Sequence, residues 1–435
     1  MKAYVIIISL VAAFGGLLFG FDTAVISGVL PYLTAHFKLD TAQQGWAVSS
    51  VIIGCIAGTQ LAGIPAEKLG RKISLIITAV LFVITSIGTA QAESFTAFII
   101  FRMIGGIAIG AASALSPMYI AEVAPAAYRG RLVSLNQLTI VVGILLAFFS
   151  NYLVDRYGDN SWRLMLGMQL FPAVLFLVSL FFIPESPRWL IRKNKVEKAK
   201  QIIYKLTGNR LLPTISNEQI NFNQQVKELA KPPHRRLMVA GIILAILQQF
   251  TGINVIMYYA PVIFEKAGVN QADALFQTIA IGLINVVFTV LAIFIIDKFG
   301  RKPLLKFGSI AMSVFLILLA ATFFSNHFQG YWVLIFVLGF IASFAVSWGP
   351  AVWVLISEIY PNHLRGTAVS IATFSLWVGG FVVSYTFPWI LKTIDGGYTF
   401  LFYSLINMAA YFFIAASIPE TTGKTLEELE NILSA

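Results

Sequence analysis

The chain has 435 residues, 58% of them hydrophobic and only 11% charged. That balance excludes a water-soluble globule, in which roughly a quarter of residues carry charge, so lipid must be the solvent for most of the polypeptide. A formal net charge of +10 would suit a nucleic-acid binder, but in a lipid-embedded chain the position of each Lys and Arg matters more than their sum, and no nucleic-acid partner is expected.

A bilayer core about 30 Å thick takes a helix of roughly 20 apolar residues. Such runs lie near 5–31, 43–65, 73–92, 95–120, 131–153 and 165–183, then near 236–263, 274–296, 303–324, 331–357, 365–391 and 398–418. The first is no cleavable signal peptide, because it continues past signal-peptide length through Gly15, Gly16 and Asp22 without a small-residue cleavage site. The longest loop, about 185–235, is polar and helix-permissive. The expected fold class is therefore an all-α integral membrane protein of twelve transmembrane helices in two pseudo-symmetric six-helix bundles. An N-terminal bundle 1–190 and a C-terminal bundle 235–435 with a short tail are joined by a short cytoplasmic helical linker, 191–234.

Charges in the loops set the orientation. Lys68, Arg71 and Lys72, then Arg129 and Arg131, then Arg188, Arg192 and Lys193, then Lys298, Arg301 and Lys302, then Arg365 all follow even-numbered spans. The positive-inside rule puts that side, and with an even span count both termini, in the cytoplasm of a cell bounded by a plasma (inner) membrane. The single cysteine, Cys55, has no partner, and His36, His234, His327 and His363 fall in loops or at span ends. No thiolate or histidine metal site is expected, and no cofactor. Proton chemistry inside the membrane falls to carboxylates.

The two halves repeat. Gly70-Arg71-Lys72 returns as Gly300-Arg301-Lys302 at an offset of 230, Glu122 to Arg129-Gly130 returns as Glu358 to Arg365-Gly366 at 236, and Pro184-Glu185-Ser186 returns as Pro419-Glu420-Thr421 at 235. Six spans per half make these parallel repeats, for which a substrate site at mid-depth between the halves is expected. Glu122, Glu185, Glu358 and Glu420 stand at span ends near Arg71, Arg129, Arg188, Arg301 and Arg365. Planar guanidinium groups can grip carboxylates two-pronged, so these residues are expected to latch the cytoplasmic side. Topology alone would account for the basic residues but not for acids and glycines repeated in register.

The runs GFDTAVISG (20–28), PESPRWL (184–190), QQFTGINVIMYYAP (248–261), DKFGRKP (297–303), WGPAVWVLISEIYP (348–361) and PETTGKTLEELE (419–430) resemble the sugar porter family of the major facilitator superfamily over essentially the whole chain. The resemblance implies two six-helix bundles, a central monosaccharide site and alternating access. One departure is the motif 66–72, where Glu67 and Lys68 replace the usual Asp or Asn and Arg.

Asp22 is the one carboxylate placed deep in an apolar span, at an insertion cost of about 2.5 to 3.5 kcal/mol on translocon scales. Helix rise puts it about 25 Å from the inner end of span one and Arg102 about 10 Å below the outer end of span four, both in the outer half of the membrane. Movement of Arg102 would then switch whether Asp22 holds a proton. By resemblance this Asp with this Arg is the pattern of proton symporters, whereas passive animal glucose carriers have Asn at the Asp position. Asp22 in FGFD also corresponds to Asn254 in TGIN, at an offset of 232.

A neutral sugar needs many hydrogen bonds that donate and accept. Gln137, Gln248, Gln249, Asn254 and Asn285 supply such groups inside apolar spans, and Gly252 can loosen span seven so that Gln248, Gln249 and Asn254 converge. The resemblance adds Trp353 and Trp377 stacking on the sugar ring, Phe19 closing over it, and Tyr258 and Tyr259 as outer gate. Where the family's xylose carriers line the pocket with further polar side chains, this chain has Ile144, Leu376 and Gly380, which leaves D-xylose and D-glucose both open. The function expected is proton-coupled monosaccharide symport, with a proton-independent facilitator as the alternative. The protons are the coupling ion, the lipid bilayer and a monosaccharide are the partners, and one chain is the working unit. No metal or nucleophile constellation suggests an enzyme.

Overall fold

The structure is a computed structural model and describes residues 3–125, 128–158, 160–207, 222–232, 234–325, 330–361 and 363–421. His327 and the part of the terminal motif beyond Thr421 lie outside the described residues. Twelve helices among them are long and apolar enough to cross a membrane: Ala3–Phe37, Thr41–Lys68, Arg71–Ala90, Phe95–Val123, Arg129–Asp155, Ser161–Leu180, His234–Lys266, Gln271–Ile296, Arg301–Ser325, Tyr331–Glu358, Arg365–Thr393 and Asp395–Ser417. They are numbered below as the first to twelfth spans. Large apolar side chains point away from the protein, with Phe182 80% and Leu405 64% exposed, an arrangement suited to hydrocarbon and ruinous in water. The chain is a multi-pass, all-α membrane protein. Three further short helices follow the sixth span, Pro187–Arg192 running into the start of the linker and Val196–Thr207 and Phe222–Leu229 lying within it.

Four spans are interrupted. The second is split between Leu61 and Gly63, the sixth between Gly167 and Leu170, the seventh between Phe250 and Ile253, and the tenth between Val346 and Trp348. Proline explains three of them: Pro65, Pro172 and Pro350 each stand four residues after the backbone carbonyl at the break, where they offer no N–H and crowd that carbonyl. Pro31, Pro117, Pro261 and Pro388 are accommodated inside continuous helices, so proline permits a break without compelling one. In the seventh span Gly252 adopts φ 97°, a left-handed conformation that a side chain would strain.

The chain forms two compact units, Met1–Leu39 with Ser50–Glu218, and Asp40–Ser49 with Gln219–Ala435. The start of the second span thus packs with the second unit, where Trp46 meets Phe381 and Tyr385 edge to face at 6.2 and 6.4 Å. Within the first unit, the second and fourth spans touch backbone to backbone. A Cβ on Gly54, Gly58, Gly106 or Gly110 would lie 2.0, 2.2, 1.9 and 2.2 Å from the carbonyls of Met103, Ile107, Val51 and Cys55 respectively. Membrane helices associate through such close packing because lipid supplies no hydrophobic drive between them. Replacing Gly106 with Leu should therefore force these spans apart at a cost of about 3 kcal/mol. The expected outcome is a clear fall in thermal midpoint and aggregation on extraction in mild detergent, read by size-exclusion chromatography; wild-type behaviour would mean the contact is dispensable.

Candidate transport sites

In the first unit Asp22 and Arg102 form an ion pair, with an Arg102 Nη1 hydrogen bond to Asp22 Oδ1. Both are buried, Arg102 to 1% and Asp22 to 5% exposure. The other carboxylate oxygen, Oδ2, accepts from Gln169 Nε2 at 3.1 Å. Gly105, one turn beyond Arg102, lies beside the carboxylate, where a Cβ would stand in ordinary contact at 3.8 Å from Asp22 Oδ2. Arg102 Nε and Nη2 make no hydrogen bond among the described residues. The guanidinium is thus held through one nitrogen, which suits a contact that is made and broken. Removing either partner of such a pair leaves an uncompensated buried charge, at a cost of about 3 to 5 kcal/mol.

In the second unit the break in the seventh span gathers amides. Asn254 Nδ2 donates to Gln249 Oε1 at 2.5 Å, a contact between residues five apart that a regular helix, with its neighbours at three and four, would not make. Gln249 Nε2 reaches Gln248 Oε1 at 3.5 Å, and Gln248 Nε2 donates to the Trp348 carbonyl at 3.2 Å, beside the break in the tenth span. Asn407 closes the set from the twelfth span by donating to the Thr251 carbonyl at 3.0 Å. Gly380 lies against the pair, where a Cβ would stand 3.1 Å from Gln249 Oε1 and 3.6 Å from Asn254 Nδ2. Asn285 is buried in the eighth span.

The remaining expected residues are distributed. In the first unit Phe19 and Gln137 are half-buried, and Ile144 is buried. In the second, Trp377 is half-buried, Trp353 is 39% exposed and Leu376 is buried. Tyr258 and Tyr259 are buried, and Tyr259 donates to the Ser384 carbonyl at 2.7 Å with its ring 4.9 Å from Phe387.

The repeated charged motifs build the same device twice. Arg71 Nε and Nη2 grip Glu122 at 3.0 Å, and the Ser186 hydroxyl donates to the same carboxylate. Glu185 accepts from the backbone N–H groups of Arg71 at 2.9 Å, Lys72 at 3.1 Å and Ser186 at 2.7 Å, capping the third span. Its counterpart pairs Arg301 Nη2 with Glu358 at 3.2 Å, with Thr421 Oγ1 donating to Glu358 at 2.6 Å. Glu420 takes the N–H groups of Arg301, Lys302 and Thr421 at 3.2, 3.1 and 3.0 Å. Lys72 and Lys302 reach the carbonyls of Phe181 and Ala415 at 2.8 and 3.0 Å. Burial pushes the Glu185 carboxyl above its usual range, outweighing those three N–H donors and the Arg71 charge. Among the described residues Arg71 and Arg301, not Arg129 and Arg365, therefore hold the acids that repeat in register. The Nε of Arg129 and of Arg365 makes no hydrogen bond among the described residues, and Arg365 Nη2 lies 3.4 Å from the Tyr360 carbonyl.

A family profile described as "Sugar (and other) transporter" matches residues 8–433. The chain belongs to the sugar transporter family. Its relatives include the D-xylose-proton symporter of Escherichia coli, 42% identical over 99% of this chain and 96% of that protein. The glucose transporter GlcP of Staphylococcus epidermidis is 36% identical over 99% of this chain and 97% of that protein. Among solved structures, the xylose transporter XylE from E. coli in a partially occluded inward-open conformation matches with a TM-score of 0.85 and 41% identity, over 98% of this chain and all of that one. The family consists of transporters, so the chain is not an enzyme.

For this sugar transporter, reading the sequence missed Gln169 and Asn407. Each carries the signal that singled out Asn285, a lone amide in an apolar run, but only packing shows what such an amide touches. The twin charge devices differ in depth, and this has a measurable consequence. Glu122 is 11% exposed at its side chain and Glu358 25%, so a lost guanidinium is less compensated by water at Glu122. Arg71→Met should lower stability by about 3 kcal/mol and Arg301→Met by about 1 kcal/mol. Thermal melts in detergent would read the difference, and equal losses would mean that burial does not set the strength of these pairs.

Proposed function

We propose that the chain is a proton-coupled monosaccharide symporter working by alternating access, and the observation that carries the reading is the buried Asp22–Arg102 ion pair. An ionisable pair inside a span is costly to insert, and such pairs mark ion pathways. A proton on Asp22 cancels the charge that holds Arg102. Arg102 has no acceptor for the O–H of a neutral acid and keeps only an uncharged contact to its carbonyl oxygen, so protonation loosens its hold and with it the tie of the fourth span to the first.

The sugar's hydroxyls are taken by amides. Gln248, Gln249, Asn254 and Asn285 in the second unit and Gln137 in the first serve as binding residues, with Phe19, Trp353 and Trp377 as aromatic surfaces and Tyr258 and Tyr259 as outer gate. Gly380 adds no side chain against Gln249 and Asn254, and Ile144 and Leu376 are apolar, so D-xylose and D-glucose both suit the set. The Lys- and Arg-rich loops put both termini in the cytoplasm of a plasma-membrane protein. There Arg71, Glu122, Glu185, Arg301, Glu358 and Glu420 stiffen each unit, and Arg129 and Arg365 supply guanidiniums for pairing that changes with the transport state. One chain as the working unit is in keeping with an ion pair and an amide cluster whose described partners all lie in that chain.

Two experiments test the reading. Replacing Gln249 or Asn254 with Ala leaves a sugar hydroxyl without its partner in a dry site, so affinity should fall about ten- to hundredfold while the protein stays folded. Binding measured by isothermal calorimetry with D-xylose and D-glucose reads the change, and wild-type affinity in both variants would sink the site assignment. Second, Asp22→Asn mimics the neutral acid permanently. In proteoliposomes it should still exchange labelled sugar but lose accumulation driven by an inward proton gradient. Accumulation that survives in Asp22→Asn excludes Asp22 as proton carrier, and its absence in the wild type identifies a facilitator.

A further inference from the structure

Asp22 has two hydrogen-bonding partners among the described residues, Arg102 and Gln169, and they differ in what they can do. A guanidinium carries only donors, so it can bond the ionised carboxylate but offers nothing to the O–H of the neutral acid. A primary amide carries both a donor and an acceptor and can turn over. With Asp22 ionised, Gln169 donates through Nε2; with a proton on Asp22, the same side chain can accept through Oε1. We propose that Gln169 is the positioning residue that keeps the Asp22 carboxyl in place through both protonation states, donating to the carboxylate and accepting from the O–H of the acid, whereas Arg102 has no acceptor for that O–H and grips the neutral acid only weakly. The proposal rests on Asp22 being the proton carrier.

The backbone places Gln169 for this role. It lies in the two-residue gap of the sixth span, where Pro172 leaves the Met168 carbonyl without its helical donor and the Phe171 N–H takes that place at 3.3 Å. The Gln169 N–H bonds the Leu166 carbonyl at 3.3 Å and its own carbonyl takes the Ala173 N–H at 3.1 Å, so the main chain is tied on both sides. The side chain is 2% exposed and shielded from competing water.

The other charged or titratable groups around the first span leave Asp22 to these two partners and to Cys55. The second span brings the buried Cys55 thiol to the same region. On the fifth span, Asp155 accepts a hydrogen bond from Tyr32, and on the sixth, Arg163 donates to the Ala90 carbonyl at 3.0 Å. On the fourth span, Tyr119 bonds the Pro184 carbonyl at 2.7 Å and Glu122 is held by Arg71.

Gln169→Leu and the near-isosteric Gln169→Met test the assignment in proteoliposomes, with uptake of labelled D-xylose and D-glucose measured against external pH. Hydrogen bonds to ionised groups are about twice as strong as neutral ones, so losing the amide takes more from the ionised state. The pH of half-maximal uptake should move to alkaline values by about one unit in both variants, with a lower maximal rate. Sugar-dependent thermal stabilisation serves as the check on folding. In an Asp22→Asn background neither substitution should alter the pH dependence further. An unmoved midpoint, or an acid shift, in folded variants overturns the role of Gln169. Asp22→Asn alone, run alongside, separates the two readings. If it still accumulates sugar, the coupling reading falls and the proposal with it; if it loses accumulation while the Gln169 midpoints stay put, only the proposal falls.

Discussion

Hydrocarbon offers no partner to a charge or to a backbone polar group, and the rest of this structure answers that constraint. Asp22 and Arg102 can both be charged inside the membrane because each supplies what lipid cannot, and Gln169 takes the remaining carboxylate oxygen. The arrangement depends on the fourth span lying against the second through bare backbone at Gly54, Gly58, Gly106 and Gly110, which holds the helix that carries Arg102. Small residues at the contact and a charge one turn away are two parts of one solution.

The same constraint shapes the broken spans. An interrupted helix exposes carbonyls and N–H groups that must find other partners at membrane depth. The seventh span meets the demand with side chains. Asn407 takes the Thr251 carbonyl, and the Thr251 hydroxyl bonds the Gln248 carbonyl at 2.7 Å. The amides of Gln248, Gln249 and Asn254 thus sit beside Asn407 and Thr251, which satisfy the carbonyls freed by the break.

The charged motifs show how a duplicated sequence repeats its chemistry. Arg71–Glu122 and Arg301–Glu358, with Ser186 and Thr421 as hydroxyl donors and Glu185 and Glu420 capping the third and ninth spans, reproduce one another down to the lysine that reaches a backbone carbonyl. The two are not equal in depth, since Glu358 sees more water than Glu122. Duplicated devices of unequal depth suit a protein whose two halves need not respond alike.

The residues by themselves determined the twelve spans and their repeat, and they singled out Asp22 and Arg102 as charges within spans, because hydropathy, helix rise and in-register motifs are one-dimensional quantities. They also marked Gly252 as the place where the seventh span loosens, since a glycine among amides in an apolar run has few other uses. Tertiary structure decided the partners. Glu122 had several arginines within reach along the chain, and only the packing of the second to fourth spans put Arg71 on it and left the Arg129 Nε without a hydrogen bond among the described residues. Gln169 could not be read as a ligand of Asp22 because 147 residues separate them, and which faces of two helices meet depends on the shapes of side chains from several spans at once. A sequence states what each residue can bond, and the fold selects the bond from those possibilities.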